Sequence, residues 1–390
     1  MGKSTLKHLF FWRFAQATIA TRLAFLFKMQ VIWHKKPPKD GPFIVIANHA
    51  NRGEPFLIGR NIKTPINYMA NVDGVKGANK LFSSGLGCFN IKKGRPDTQA
   101  FVKAMDLLRN GYTVGIFVEG DRSWIGKTKD FSTATASLAK KMNVPILMAR
   151  FSGSYMSRPR WSEIPRVGKI FLEFDRIDVE EVQRLSKEEL QLRMFNYINN
   201  DDFTDERVKK IVYKGKDFAV GIENLLWKCP SCNSEDTLKG TKNEIVCKSC
   251  KTTFAIDGNQ NVSDPKAVLN AKQIATVKDW NNWQIELAKK SFAQFPENTL
   301  LSDNEVELFD EPSENVWQSL GTGTLSLNNE GILWKSGNNE LLFAKKDILN
   351  VVDNFNEYSL LNLKRSRYKF VSKNTVSYKW ANLLEIVLNA

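Results

Sequence analysis

Between residues 41 and about 178 the chain alternates short apolar runs with segments of helical period. The runs FIVIAN (43–48), TVGIFVE (113–119), VPILMARF (144–151) and KIFLEF (169–174) are mainly apolar at successive positions, with polar residues chiefly at their ends. That is the pattern of strands buried on both faces. Between them Phe101, Met105 and Leu108 recur at helical spacing after Pro96 and Asp97, and Asn110-Gly111 supplies a stop. A second helix is expected over 131–142, and a third opens at Ser186 and Glu189, which form a capping box after Leu185. Strand and helix in alternation predict an α/β domain with a mainly parallel sheet and flanking helices.

After about residue 200 the pattern changes. The acidic stretch NNDDFTDE ends the α/β alternation, and residues 323–348 then alternate short strands with turns at Asn328-Asn329 and Gly337-Asn338-Asn339. Strand-like runs follow at 358–363 and 368–372, and the chain closes on a helix that places Trp380, Leu383, Leu384 and Val387 on one face. A small β domain with a C-terminal helix is expected. It resembles a pleckstrin-homology or GRAM-like domain by pattern alone. Lys364, Arg365, Arg367 and Lys369 either meet lipid phosphates there or form a solvated hairpin.

Composition narrows the partners. The 390 residues are 42% hydrophobic, enough to fill real cores, and the net charge of +14 favours contact with something anionic. The first forty residues carry eight Lys or Arg against one acid, Asp40, with Phe10, Phe11, Trp12, Phe14, Phe25, Phe27 and Trp33 between them. Their longest charge-free run is eight residues, Phe14 to Thr21, whereas a spanning helix needs about 20 apolar residues. No span and no cleavable signal are expected, because Arg13, Arg22 and Lys28 interrupt the apolar segment. Two readings stay open: helices lying in the headgroup region of a membrane, or a basic helix packed on its own domain.

Four of the five cysteines form two close pairs. Cys229 and Cys232, then Cys247 and Cys250, are Cys-x-x-Cys knuckles separated by 14 residues. Each pair can grip one side of a tetrahedral ion, so a zinc ribbon with a structural zinc is expected over 227–256. No dense basic and aromatic cluster surrounds it, and no nucleic acid is expected as a partner. Cys88 reads as a buried small apolar residue. The expected divisions are membrane-interface helices over 1–40, the α/β domain over 41–200, a linker over 201–226, the ribbon, a helical linker over 257–300 and the β domain over 301–390.

In parallel sheets reactive groups collect where strands end. His49, one of only three histidines, stands there in IANHANRGEP (46–55), with Glu54 five residues on. VEGDRSW (118–124) follows another strand, and GLGCFNIKKGRPD (85–97) offers a glycine-rich turn with Lys92, Lys93 and Arg95. These supply a candidate base, a carboxylate to orient it and cations for a phosphate.

Taken in order, the segments resemble the glycerolipid acyltransferase family, which contains the 1-acylglycerol-3-phosphate acyltransferases. Asn48, His49 and Glu54 match the first block, and Gly87, Phe89, Ile91 and Lys93 the second. Phe117, Val118, Glu119, Gly120, Asp121, Arg122 and Ser123 match the third, and Val144, Pro145 and Ile146 the fourth. The chain departs from the family in having Glu54 for Asp, Lys93 for Arg, and Val118 and Asp121 for Pro and Thr. Asp121 adds negative charge beside Arg122, which would weaken its pull on a phosphate.

The resemblance implies that His49 is the base and Glu54 its orienting acid. It also implies that Asn48, Lys93, Arg95, Glu119, Gly120 and Arg122 form the substrate site, with Glu119 orienting Arg122 or its loop. A fatty acyl group would pass from acyl-CoA or acyl carrier protein to a lysophospholipid, most naturally 1-acylglycerol-3-phosphate. The acyl chain would lie along residues 144–151 and the N-terminal aromatics. The expected location is the cytoplasmic face of a membrane, held peripherally or monotopically. The competing class is a non-catalytic lipid-binding adaptor on the same fold.

Overall fold

The computed structural model describes residues 5–39, 41–71, 77–91, 94, 97–264, 267–313, 316–354, 358–373 and 375–390. The chain divides into two compact units, Met1–Lys216 and Asp217–Ala390.

The first unit is built on seven strands: β1 Gln30–Trp33, β2 Ile44–Ala47, β3 Ile66–Ala70, β4 Phe89–Asn90, β5 Thr113–Phe117, β6 Ile146–Ser152 and β7 Phe171–Ile177. Their order across the sheet is β1-β7-β6-β2-β5-β3-β4. Neighbours run parallel except β6 and β7, whose antiparallel register pairs Ile146 with Ile177. Both sheet faces are covered, which is why β2 and β6 are apolar without alternation. Val45, Ala47, Leu147, Ala149 and Phe151 point into one core with Trp12, Ala15, Phe27 and Leu57. Ile44, Ile46, Ile146 and Met148 point into the other, with Ala104, Met105, Leu108, Leu138, Leu190 and Met194.

The helices on the second face start and stop where the sequence says. Asp97 caps Thr98–Arg109 by accepting from the N–H groups of Gln99 and Ala100. Ala134–Met142 ends on Asn143 in the left-handed conformation, φ 52°. Ser186 and Glu189 form both halves of the capping box of Lys187–Ile198.

Residues 1–40 do not stand apart as helices alone. Helices Leu6–Ala15 and Thr21–Leu26 bury Trp12, Ala15 and Phe27 in the first core, and β1 joins the sheet edge beside β7. The fit against the helix Glu54–Asn61 is close: a Cβ on Gly59 would stand 2.7 Å from Trp12. Yet Leu6, Phe10, Phe14 and Phe25 remain exposed, Phe25 at 88%. The segment is therefore packed on its own domain on one face and leaves apolar side chains exposed on the other. Among the described residues no helix is long and apolar enough to cross a membrane.

The second unit holds two antiparallel sheets. The smaller has β8 Leu238–Thr241, β9 Glu244–Cys247, β10 Thr253–Ile256 and β11 Val262–Ser263, in the order β11-β10-β9-β8. The larger has β12 Leu301–Ser313, β13 Val316–Asn328, β14 Gly331–Ser336, β15 Asn339–Ala344, β16 Ile348–Asn354, β17 Tyr358–Leu363 and β18 Arg367–Val371. Its order, β15-β14-β13-β12-β18-β17-β16, brings the end of the meander back to its beginning. The helix Val277–Gln294 lies between the sheets in sequence and Ser377–Asn389 closes the chain. Trp380, Leu383, Leu384 and Val387 are all buried, with Trp380 edge-on to Phe370 at 5.6 Å. Lys379 is buried too and reaches the loop before β8, pairing with Asp236 at 2.6 Å and Glu235 at 3.0 Å.

The basic hairpin of the sequence is not uniformly solvated. Arg367 is buried and forms an ion pair with Glu311. Lys369 lies 3.8 Å from the centre of the Phe309 ring, also facing Trp317 and Tyr358. Lys364 and Arg365 alone of the four face solvent.

Candidate active site

Strands β2, β5 and β6 run parallel side by side, so their C-terminal ends fall at one edge. His49 follows β2, Glu119 follows β5 and Ser154 follows β6. Asn48 fixes the first of these ends: its amide donates to the Phe151 carbonyl at 2.9 Å, and its oxygen accepts the Phe151 N–H at 2.8 Å. The chain then turns through residues 49–53 into the helix Glu54–Asn61.

That turn brings Glu54 back on His49. Glu54 Oε2 lies 2.6 Å from His49 Nδ1, and the carboxylate is fully buried while the imidazole keeps 18% of its surface open. The Ala50 N–H donates to both carboxylate oxygens, at 3.2 and 3.1 Å, and Ser154 Oγ donates to Oε1 at 2.5 Å. With Nδ1–H donated to Glu54, Nε2 is the nitrogen left with a lone pair. Phe117 stacks on the imidazole at 4.0 Å between centroids and fixes the ring plane.

Glu119 acts on the backbone. It accepts the His49 N–H at 2.6 Å and the Lys129 N–H at 2.8 Å, so it ties the end of β2 to the loop after β5. Burial pushes its carboxyl up to about 8, against the pull of those two donors. Of the two roles expected for Glu119, orienting Arg122 or its loop, the loop is the one found, and the carboxylate that meets Arg122 is Glu163, with Nη1 to Oε1 at 2.8 Å. The expected pull of Asp121 on Arg122 is corrected. The Asp121 charge goes to Arg160 at 2.8 Å, while Arg160 Nη1 also donates to the Arg122 carbonyl at 2.6 Å.

Gly120 has φ 71° and open space where a Cβ would stand, leaving the loop backbone accessible. Lys92, Lys93 and Arg95 lie outside the described residues. The expected acyl groove along 144–151 is not formed there: β6 is a central strand and its side chains fill the two cores. The cavity that His49, Glu119, Ser154 and Asp202 line holds about 10 Å³, room for one water and far too small for an acyl chain. Cys88 is partly buried, and burial pushes its thiol up to about 11, so it is no thiolate nucleophile.

Ser154 was not read from the sequence, although the strand-end rule that picked out His49 applies equally to the residues after β6. Arg52, Arg158 and Glu163 were also missed. No periodicity marks them, since they come from two separate loops.

The four ribbon cysteines come together in the second unit. Cys229 and Cys232 precede β8, Cys247 ends β9 and Cys250 follows it, and their sulfurs all lie within 4.8 Å of one another. Cys229 and Cys250 are 3.9 Å apart and Cys232 and Cys247 3.8 Å. Sulfurs bound to a tetrahedral zinc at about 2.3 Å would be about 3.8 Å apart, so the residues fit such an ion as a closed four-thiolate site.

A mainly parallel α/β sheet with a histidine–carboxylate pair at its strand ends matches a family on comparison with known proteins. Residues 28–152 match the family model described as Acyltransferase. The matched segment contains all four blocks on which the sequence resemblance rests. Among solved structures the chain is similar to the 1-acyl-sn-glycerophosphate (LPA) acyltransferase PlsC from Thermotoga maritima. The identity is 25% and the TM-score 0.41, over 48% of this chain and 76% of that one. No curated protein sequence matches.

Proposed function

We propose that the protein moves a fatty acyl group from an acyl thioester, acyl-CoA or acyl carrier protein, to the hydroxyl of a lysophospholipid, with 1-acylglycerol-3-phosphate as the natural acceptor. The observation that carries this reading is the His49–Glu54 pair at 2.6 Å at the C-terminal edge of the central strands, inside the acyltransferase-family segment.

The chemistry follows from the geometry. His49 Nε2 takes the proton of the acceptor hydroxyl, and Glu54 stabilises the imidazolium that results. The hydroxyl oxygen forms its bond to the thioester carbonyl carbon, and collapse of the tetrahedral adduct breaks the C–S bond. The imidazolium returns its proton to the departing thiolate, so free thiol and a new ester are the products. No covalent enzyme intermediate is needed. Arg122 beside the dyad, with Lys93 and Arg95, would bind the acceptor phosphate.

The exposed Leu6, Phe10, Phe14 and Phe25, among the cations of residues 1–40, support work at a membrane surface, with the protein held at its cytoplasmic face. Zinc in the Cys229, Cys232, Cys247 and Cys250 site would be structural. It would tie two knuckles of the second unit together and leave no open position for water. The PH or GRAM-like likeness suggests that the β domain aids docking or assembly.

The test is purified full-length protein given an acyl thioester and lysophosphatidic acid, with thiol release followed beside phosphatidic acid formation. Transfer abolished by His49→Ala supports the reading. A wild-type protein that binds lipid vesicles and releases no thiol with either donor would make it an adaptor.

A further inference from the structure

Glu163 is the meeting point of three guanidinium groups. Arg122 Nη1 lies 2.8 Å and Arg52 Nε 3.4 Å from its Oε1, and Arg158 Nε lies 3.3 Å from its Oε2. Arg52 belongs to the turn that carries His49 into the helix of Glu54. Arg122 precedes Ser123, whose N–H donates to the His49 carbonyl at 2.7 Å. The cluster is therefore tied through the backbone to the turn that carries the dyad.

The carboxylate is an imperfect guest. Both its oxygens are shielded from solvent, and of the three guanidinium contacts only that of Arg122 is short, those of Arg52 and Arg158 being 3.4 and 3.3 Å. A buried carboxylate with one close partner among three is incompletely compensated. The guanidinium of Arg122 is fixed, with 9% of its side chain exposed, whereas the Glu163 side chain is 31% exposed and its stem reaches the surface. Glu163 also stands in the left-handed region, φ 56°, in a turn where its N–H donates to the Pro159 carbonyl at 3.0 Å. Its own carbonyl accepts Arg158 Nε at 2.9 Å. The arginines are thus arranged around a position that a short side-chain rotation would empty.

We propose that Glu163 is the internal occupant of an anion site made by Arg52, Arg122 and Arg158, and that a phosphate monoester displaces it. The proposal rests on the acyl-acceptor reading and extends it. A phosphate offers three peripheral oxygens and close to two negative charges, against two oxygens and one charge on Glu163, so it can give each guanidinium its own acceptor. An acceptor without phosphate cannot displace the carboxylate. Glu163 would then be a specificity-determining residue, selecting acceptors by charge. The phosphate could come from the lipid acceptor or from free inorganic phosphate, and the experiment separates them.

The full-length wild type is compared with Glu163→Gln and Glu163→Asp. Inorganic phosphate is titrated by calorimetry, and steady-state transfer is measured with lysophosphatidic acid and with monoacylglycerol. Glu163→Gln is expected to bind phosphate about tenfold more tightly and to lower KM for lysophosphatidic acid by about the same factor. The change should fall on KM and not on kcat, leave KM for monoacylglycerol unmoved, and be reversed in Glu163→Asp. Should Gln disturb the turn, Glu163→Gly removes the carboxylate while favouring the left-handed backbone, and must give the same shift. Phosphate binding unchanged or weakened in both neutral variants would overturn the proposal and make Glu163 a support for Arg122. Tighter phosphate with unchanged KM for the phosphorylated lipid would leave the site to free phosphate and overturn its role in acceptor choice. If no variant transfers acyl groups, the proposed function fails, and the calorimetry alone still decides whether Glu163 occupies an anion site.

Discussion

Glu54 and Ser154 are 100 residues apart in the chain and 2.5 Å apart in space. The hydroxyl holds one oxygen of the carboxylate while the other faces His49 Nδ1. Ser154→Ala should therefore lower kcat about tenfold with little change in KM, by loosening the carboxylate that orients the imidazole, since a hydrogen bond to a charged group is worth about 1.5–3 kcal/mol. Ser154→Thr restores the hydroxyl and should recover most of the rate. Equal kcat in the wild type and Ser154→Ala would show that the helix turn and the Ala50 N–H suffice to hold Glu54.

Removal of the base itself should cost more. His49→Ala is expected to lower kcat/KM by about 10²–10⁴, the usual span for general acid–base catalysis, without altering the unfolding midpoint by more than a few degrees. Glu54→Gln should lose much of the same rate. Because the two residues act as one unit, the double variant should be hardly slower than His49→Ala. Additive losses in steady-state assays would mean that Glu54 acts elsewhere.

The buried carboxyl of Glu119 gives stability a pH dependence of defined sign. Its folded value, about 8, exceeds the ordinary 4.5, so between these limits the folded protein holds a proton there that the unfolded chain has released. Stability from this group is therefore complete below about pH 4.5, declines as pH rises and levels off above about pH 8. Urea midpoints across that window should fall more steeply for the wild type than for Glu119→Gln. Parallel curves would place the titration elsewhere.

The outward face of the N-terminal helices should govern lipid contact. Replacing Phe10, Phe14 and Phe25 together by Ser removes large exposed rings and touches neither core. Sedimentation with anionic vesicles should drop about tenfold or more, while the unfolding midpoint stays put. Raised salt should weaken binding of the wild type, because the cations of this segment are screened. Undiminished sedimentation of the triple variant would move the docking face to another part of the chain.

In the second unit the ribbon is held to the closing helix by the buried Lys379. Cys229→Ser with Cys232→Ser should release about one zinc per chain, measured by atomic absorption, and expose this unit to proteolysis. Lys379→Ala removes a buried amine but leaves carboxylates on Asp236 and Glu235 that keep 40% and 43% of their side chains exposed, so loss of the pairing should cost no more than about 1 kcal/mol of that unit's stability. Full zinc content in the cysteine variant would mean that the ion sits elsewhere.

What the sequence determined by itself is local. The runs at 43–48 and 144–151 had to be covered on both faces, because polar residues do not alternate in them and only Asn48 and Arg150 are polar, and the helices are bounded by caps written within four residues. His49 and Glu54 were legible as a pair because they lie five residues apart across a strand end, within reach of a single turn. The cysteine knuckles carry their own spacing. Strands β1 and β4 went unread as the two edges of the sheet, β4 being only Phe89–Asn90, and β3 because Asn67 breaks its apolar run. Tertiary structure alone decided that β6 lies beside β2, which brings Ser154 onto Glu54, and that the loop of Arg158 and Glu163 meets Arg122 from far along the chain. It also gave Asp121 to Arg160, where adjacency in sequence had set it against Arg122, and chose for Glu119 the backbone of His49 and of the loop after β5 over the Arg122 side chain. The physical reason is common to all of these. Parallel pairing and charge pairing join segments with no short-range code between them, and burying both sheet faces is what selects the arrangement.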